Sequence, residues 1–169
     1  MFVAVLSMMV FGCGGGGEGG GTQTAPPTVA VLTLGTVGTP SASYKGIELT
    51  VNLPATVTVK TDPLNPKQTA AGVLKLTGPF AAYSSQVLPR PLWGRYSSAG
   101  AGKPSAVMIS IASGTANFPV GQFVTMTCDL ASVTSVSPSD LSIVNFAAYG
   151  TGGATVTGLT ASLLAVTLL

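Results

Sequence analysis

Five carboxylates are the only acidic side chains of this chain, and their placement decides whether hydrolytic chemistry is expected. They are Glu18, Glu48, Asp62, Asp129 and Asp140. Glycoside hydrolysis needs two carboxyl groups about 5 to 9.5 Å apart across a cleft. Glu48 and Asp129 become neighbours only if their strands pair, and both occupy exterior strand positions where solvated carboxylates are ordinary. The sequence therefore predicts no catalytic residues and a protein that is not an enzyme.

The chain has no histidine, and its two cysteines are Cys13 and Cys128. Histidine is the commonest general base near neutral pH, so its absence removes Ser-His-Asp and Cys-His catalysis. The cysteine spacing matches no metal-binding motif. Asp62 and Asn65 offer two oxygen ligands where Ca²⁺ takes about six to eight, so turn caps are the favoured interpretation of both. We expect no metal and no cofactor.

Three aromatic residues and two arginines form the candidate binding site: Trp93, Tyr96, Tyr83, Arg90 and Arg95. Aromatic faces stack on sugar rings and anchor protein interfaces. The neighbouring guanidinium groups can hydrogen-bond hydroxyls or pair with the acids of a partner. The surrounding segment, residues 92–104, is predicted to be an exposed loop or sheet edge. The alternative is that Trp93 simply covers an open end of the fold.

The elements that must position these residues follow from composition and periodicity. The 169 residues fit one domain plus a tail. Charged residues make up only 7% of the chain and the formal net charge is +2. With no basic run and no aromatics interleaved with basic residues, the sequence argues against a nucleic-acid partner.

Alternation of apolar and polar residues dominates the region 27–169, most clearly in segments 45–60, 105–113 and 121–130. Because successive strand side chains point to opposite faces, each segment is predicted to be a half-buried strand. The predicted inward residues are Ile47, Leu49, Val51, Leu53, Val57, Val59, Val107, Ile109, Ile111, Val124, Met126, Cys128 and Leu130. Residues 159–169 are predicted to form a buried terminal strand. About nine strands and short turns indicate an all-β protein, an antiparallel β-sandwich.

The first residues, MFVAVLSMMVFGC, form an uncharged apolar segment that ends at Cys13. The segment is too short to span a bilayer but has the length of the apolar core of an export signal. Its end, Val10-Phe11-Gly12-Cys13, resembles the bacterial lipoprotein signal, in which cleavage before Cys leaves a lipid-modified amino terminus. The alternative is an apolar start with a structural cysteine.

The segment that follows, GGGGEGGG at residues 14–21, behaves as a flexible chain and cannot pack a core. We therefore expect a signal segment at 1–12, a lipidated Cys13 with a Gly-rich tether at 13–26, and one folded domain at 27–169. By resemblance to lipoprotein sorting signals, Gly14 after the cysteine implies the outer membrane or cell surface of a Gram-negative type of envelope.

Two segments, GIELTVNLPATVTVKTDP and GQFVTMTCDL, resemble early and late strands of bacterial cohesin-type domains. The closing residues 141–169, with a strand, a Gly-rich turn and a final strand, are also similar, so the resemblance covers about residues 27–169. It implies a nine-stranded, jelly-roll-like sandwich related to carbohydrate-binding modules. Cohesins bind dockerins, small calcium-binding modules, through one face of the sandwich, and some relatives contact polysaccharide.

The resemblance and the residues together lead to three hypotheses. The first is a non-catalytic, lipid-anchored envelope module that binds a dockerin-like or other surface protein. The second is a module that binds extracellular polysaccharide, and the third is a structural envelope lipoprotein. A row of exposed aromatics would favour polysaccharide, whereas a flat face of mixed composition would favour a protein partner.

Overall fold

The computed structural model describes residues 27–83, 91–100, 103–114, 116–131 and 136–169. These residues form twelve strands: β1 (Val29–Gly38), β2 (Gly46–Leu53), β3 (Val57–Thr58), β4 (Thr61–Asp62), β5 (Asn65–Thr69), β6 (Leu74–Leu76), β7 (Leu92–Ser97), β8 (Ser105–Ala112), β9 (Gly121–Leu130), β10 (Ser142–Tyr149), β11 (Thr155–Val156) and β12 (Leu159–Leu168). Three short 3-10 helices cover Gly78–Tyr83, Pro138–Asp140 and Thr151–Gly153.

The strands form two antiparallel sheets. The five-stranded sheet has the order β12-β1-β9-β3, with β6 also paired to β9, and the seven-stranded sheet has the order β11-β10-β2-β8-β7-β5-β4. Both sheets contribute fully buried residues to one hydrophobic cluster. The predicted all-β, antiparallel β-sandwich is therefore confirmed. Three of the twelve strands are only two residues long, and the nine-stranded, jelly-roll-like arrangement stays a prediction.

The inward residues predicted from alternation are buried in the sandwich. In β2 the buried and half-buried positions alternate strictly from Gly46 to Leu53, and β8 does the same from Ser105 to Ile111. In β9 Val124, Met126 and Cys128 are fully buried. Removal of these apolar side chains from water is the main favourable term in folding.

One end of the sandwich is closed by aromatic packing. The rings of Phe80 and Phe118 have centroids 4.6 Å apart, and Tyr44 packs edge-on against Phe118 at 6.0 Å. The buried Tyr44 hydroxyl donates a hydrogen bond of 2.6 Å to the carbonyl of Pro119. This end, called the aromatic end below, also contains the turns after β1, β8 and β10. The opposite end contains Thr28 and Leu169, whose backbone N–H and carbonyl are 3.0 Å apart.

Two sequence-based expectations were wrong. Residues 92–97, part of the segment predicted to be an exposed loop or sheet edge, form strand β7, which pairs with β8 and, through Arg95 and Gln68, with β5, so they are neither a loop nor the last strand of the sheet. Gly94 obscured the alternation, because it is placed where a Cβ would meet the Leu74 side chain. The last strand, β12, is a sheet edge in which only Leu159 is buried. Its apolar composition suggested burial, but among the described residues β12 has a strand neighbour on one side alone.

Candidate functional site

The outer face of the seven-stranded sheet carries the candidate site. Residues paired across antiparallel strands point to the same side of a sheet, so the pairing register identifies the neighbours on this face. Three cross-strand rows result: Ala147, Glu48, Ser110 and Trp93; Val144, Thr50, Met108, Arg95 and Gln68; Ser142, Asn52, Ala106 and Ser97. We call these residues the mixed face, because they combine apolar, polar and charged side chains.

Trp93 and Arg95 are the two predicted site residues that the fold brings together on the mixed face. They are two positions apart on β7, and both side chains are exposed to solvent, with 38% of the Trp93 surface accessible. Positions i and i+2 of a strand point to the same side about 7 Å apart. Met108 lies directly opposite Arg95 on β8. An indole ring, a thioether and a guanidinium group therefore share one part of the sheet surface.

The other two described candidates lie elsewhere. Tyr96 alternates with Arg95 and packs, half-buried, against the core. Tyr83 ends a 3-10 helix, its ring centroid is 5.5 Å from that of Phe118, and its hydroxyl donates to the Asn117 carbonyl at 3.3 Å. Both therefore stabilise the domain in positions away from Trp93. Arg90 and Cys13 lie outside the described residues.

A depression of about 330 Å³ adjoins the mixed face at the aromatic end. Its lining includes Lys45, Ser110, Ala112 and Tyr149. Tyr149 pairs with Gly46, which has no side chain to fill the floor, and the Tyr149 Cβ is 3.3 Å from the place of a Gly46 Cβ. Sequence reasoning missed Tyr149 and Met108. Met108 could have been found, because it occupies an outward position of the alternating strand β8. Tyr149 had no such signal, because the register of β10 shifts between Val144 and Ala147.

The mixed face carries charges of both signs. Glu48 lies in the row of Trp93, Arg95 lies one row away, and Lys45 lines the adjoining depression. Asn52 on β2 donates a 3.0 Å hydrogen bond to the Ser142 hydroxyl on β10, which ties two strands together at the surface. Such a surface can pair with both acids and bases of a partner.

Glu48 and Asp129, the two carboxylates that pairing of their strands would have made neighbours, lie on different sheets. Glu48 is on β2 of the seven-stranded sheet, whereas Asp129 is on β9 of the five-stranded sheet, so the two strands do not pair. Asp62 accepts a 2.8 Å hydrogen bond from the Leu64 N–H, and Asn65 accepts one from Lys67 at 3.3 Å. Both side chains cap turns, as favoured from the sequence. Among the described residues, no three His, Cys, Asp or Glu side chains cluster as metal ligands would.

Cys128 faces the core and is fully buried. Burial, followed by the nearby Asp129 charge, raises the pKa of its thiol to about 12. Because the thiolate is the reactive species, this cysteine acts as a small apolar residue in the core. Its position agrees with the predicted strand facing.

Trp93 and Tyr149 are the aromatic residues that the described part of the chain places on or beside the mixed face, and they are separated by β2 and β8. Three strand spacings and a two-residue offset put their backbones about 16 Å apart. They flank the face and do not form a continuous row. In the part of the chain that the structure describes, no helix is long and apolar enough to cross a bilayer. Comparison with known proteins found no family model, curated protein or solved structure that matches this chain.

Proposed function

We propose that this protein is a non-catalytic, cohesin-type binding module of the cell envelope that holds another protein on its mixed face. The observation that supports the proposal is the composition of that face. Trp93, Met108 and Val144 supply apolar contacts, while Glu48 and Arg95 supply charges of both signs. Protein interfaces combine such anchors with a polar rim, and aromatic residues, Met and Arg are enriched in them.

The second part of the proposal is a lipid anchor at Cys13. By its composition, residues 13–27 would form a Gly-rich coil that spans roughly 20 Å root-mean-square. Strand β1 starts at Val29, beside Leu169 and opposite the aromatic end. A tethered domain would thus present the aromatic end, with Lys45 and Tyr149, away from an outer membrane. A dockerin-like module or another surface protein would approach from outside.

Polysaccharide binding is the second candidate function, and one observation favours it. Tyr149 lies beside the depression that Gly46 leaves open, with Lys45 and the Ser110 hydroxyl in the same lining. An aromatic ring beside hydroxyl and ammonium donors is suited to a sugar ring. The separation of Tyr149 from Trp93 makes this the weaker candidate, since a continuous platform of aromatics is not formed. A purely structural lipoprotein is the outcome if neither ligand binds.

The binding proposal is tested with the full chain in lipid nanodiscs as bait for envelope proteins and, separately, for extracellular polysaccharide of the source cells. Trp93→Ala is expected to lower the affinity for the captured protein at least about fivefold, because truncation of a central aromatic anchor commonly costs more than about 1 kcal/mol of binding. Thr127→Ala, on the outer face of the other sheet, is the matched control and should capture as much as wild type.

Thermal unfolding of each variant decides how the capture is interpreted. A midpoint for Trp93→Ala within a few degrees of wild type attributes the loss to binding, whereas an equal loss of folding would make Trp93 structural. Undiminished capture by Trp93→Ala, or capture of polysaccharide alone, contradicts a protein partner on the mixed face. The anchor is tested separately, since Cys13→Ser should abolish lipid labelling and membrane fractionation.

A further inference from the structure

The four sheet edges of the sandwich differ in length. Three of them end in short strands: β4 and β11 have two residues each, and the edge beside β9 is divided between β3 and β6, with two and three residues. The fourth edge is β12, which has ten residues. Short strands are one means by which proteins keep sheet edges from pairing with other chains. Among the described residues, β11 pairs only with Ala148 and Tyr149, so part of β10 also lacks a neighbour, but β12 is the longest strand at any of the four edges.

Strand β12 also lacks the side chains that usually protect an edge. Its sequence, LTASLLAVTL, contains no charged residue and no proline. By contrast, β5, next to the far edge of the other sheet, carries Pro66 and Lys67. The register with β1 shifts at Leu164, so β12 contains a bulge. This bulge adds apolar surface, because Leu164 covers the Gly35 backbone and remains 46% exposed.

The side chains around this edge form an apolar strip. β10 contacts β12 where the two sheets meet, and this side of the sandwich is closed by side chains that are only half-buried. These are Leu141, Ile143, Phe146, Leu163 and Val166, and the exposed apolar residues of β12 and the chain end are Leu164, Leu168 and Leu169. Among described residues, β12 pairs only with β1, so its outer row of backbone N–H and carbonyl groups has no strand partner there.

We propose that β12 pairs with β12 of a second copy of this chain, antiparallel about a twofold axis, so that the five-stranded sheets of both copies become continuous. Charge selects this occupant. A partner strand with charges on its core-facing side would place them against Leu163 and Val166 without a counter-charge, which is unfavourable, so that side of the partner strand must be uncharged. β12 is itself such a strand. When a twofold axis pairs β12 with β12 of a second copy, no like charges lie opposite each other, because the strand carries none. The contact is independent of the mixed face, which lies on the other sheet.

The test is amide hydrogen exchange of the full chain in detergent at a fixed detergent-to-protein ratio, over a range of protein concentrations. Amides of residues 159–168 should exchange about fivefold more slowly at a total protein concentration roughly ten times the dimer dissociation constant than in dilute protein, because about one fifth of the chains are then monomeric and only the paired edge is protected. Thr167→Lys puts a charge on the exposed side of β12 and should abolish this concentration dependence. Thr58→Lys, the same change at an exposed threonine of β3, should retain it.

Other occupants give different results, and each overturns the proposal. Protection of β12 that is equal at all concentrations and disappears when residues 1–11 are deleted would assign the edge to the chain's own amino-terminal segment. Protection that requires an added envelope protein would assign it to a different partner. Rapid exchange of β12 at every concentration, or loss of the effect in Thr58→Lys as well as Thr167→Lys, would leave no β12 dimer. Unchanged capture by the mixed face in Thr167→Lys keeps these results separate from the proposed function.

Discussion

On the outer face of the seven-stranded sheet, Trp93 and Arg95 are two positions apart on β7 and Met108 lies directly opposite Arg95, whereas the outer face of the five-stranded sheet presents Thr33, Thr125 and Thr127. The inner faces of the two sheets are alike, with fully buried aliphatic residues in both. The inner residues must fill a shared core, so their type is restricted. The outer residues are under no such restriction, and the difference between the two outer faces is where function is expected.

The equivalence of the inner faces is tested by Leu32→Ala in β1 and Leu49→Ala in β2. Both leucines are fully buried, one in each sheet. Each substitution should lower the free energy of unfolding by about 2–5 kcal/mol, from lost transfer free energy and the cavity left behind. Thr127→Ala and Thr50→Ala, on the outer faces, should cost less than about 1 kcal/mol. Urea unfolding measures all four, and outer-face losses as large as the leucine losses would mean that the faces are misassigned.

The burial of Cys128 on the inner face of the five-stranded sheet is tested by the pH dependence of stability. Its folded-state pKa, about 12, lies above the usual value of 9.0, so the thiol form is favoured by folding. That contribution is fully present below pH 9 and is lost as pH rises towards 12, by at most about 1.4 kcal/mol per pH unit. Urea unfolding at pH 8, 9 and 10 should show stability falling more steeply for wild type than for Cys128→Ala.

The same cysteine provides a kinetic control. A thiol reagent at pH 8 should label Cys128 at least about a hundredfold more slowly in the folded chain than in urea, because the thiolate is suppressed and the sulfur is enclosed. Cys13 labels as the internal standard wherever it carries no lipid. Rapid labelling of Cys128 in the folded domain would show that the facing of β9 is wrong by one residue.

The smallest effect is expected at Asp140, in the turn that leads from the five-stranded sheet to β10. Its carboxylate accepts hydrogen bonds from the Ser137 backbone N–H at 2.8 Å and from the Ser137 hydroxyl at 2.9 Å, and the backbone bond first and the hydroxyl second lower its pKa. The contribution to stability is present above the usual pKa of 3.8 and is lost as pH falls through the lowered value. In Asp140→Asn, the free energy of unfolding measured in urea should fall less than in wild type as the pH is lowered below 3.8. If variant and wild type lose the same free energy of unfolding at acid pH, the Asp140 hydrogen bonds do not contribute to stability.

Much of the fold could be predicted because β2, β8 and β9 alternate with period two and bury one face each. Two strands could not be predicted correctly, for different reasons. In β7, Gly94 takes a buried position and Trp93 an exposed one, which reverses the usual preference. In β12, uniform apolar character cannot distinguish a central strand from an unprotected edge, because that difference depends on which strands lie beside it.

The candidate site was predictable only in part. The sequence singled out Trp93 and Arg95 as aromatic and basic neighbours, and their common face follows from their spacing within β7. It also grouped Tyr96 and Tyr83 with them, because proximity in sequence does not show the side of a strand or the packing of a 3-10 helix. Met108 and Glu48 join Arg95 and Trp93 through cross-strand register, which is a property of the assembled sheet.

Strand β1 is bonded along its length to β12 on one side and β9 on the other, and the proposed tether would enter at its first residues. If the proposed anchor holds Cys13 while a partner is pulled from the aromatic end, the load runs along the axis of β1. The β1–β12 and β1–β9 hydrogen bonds are then loaded in shear, so many of them are strained at once. In a hairpin that is pulled apart from one end, the hydrogen bonds break one after another. The placement of the first strand between two long neighbours would thus make the point of attachment the part of the domain most resistant to force.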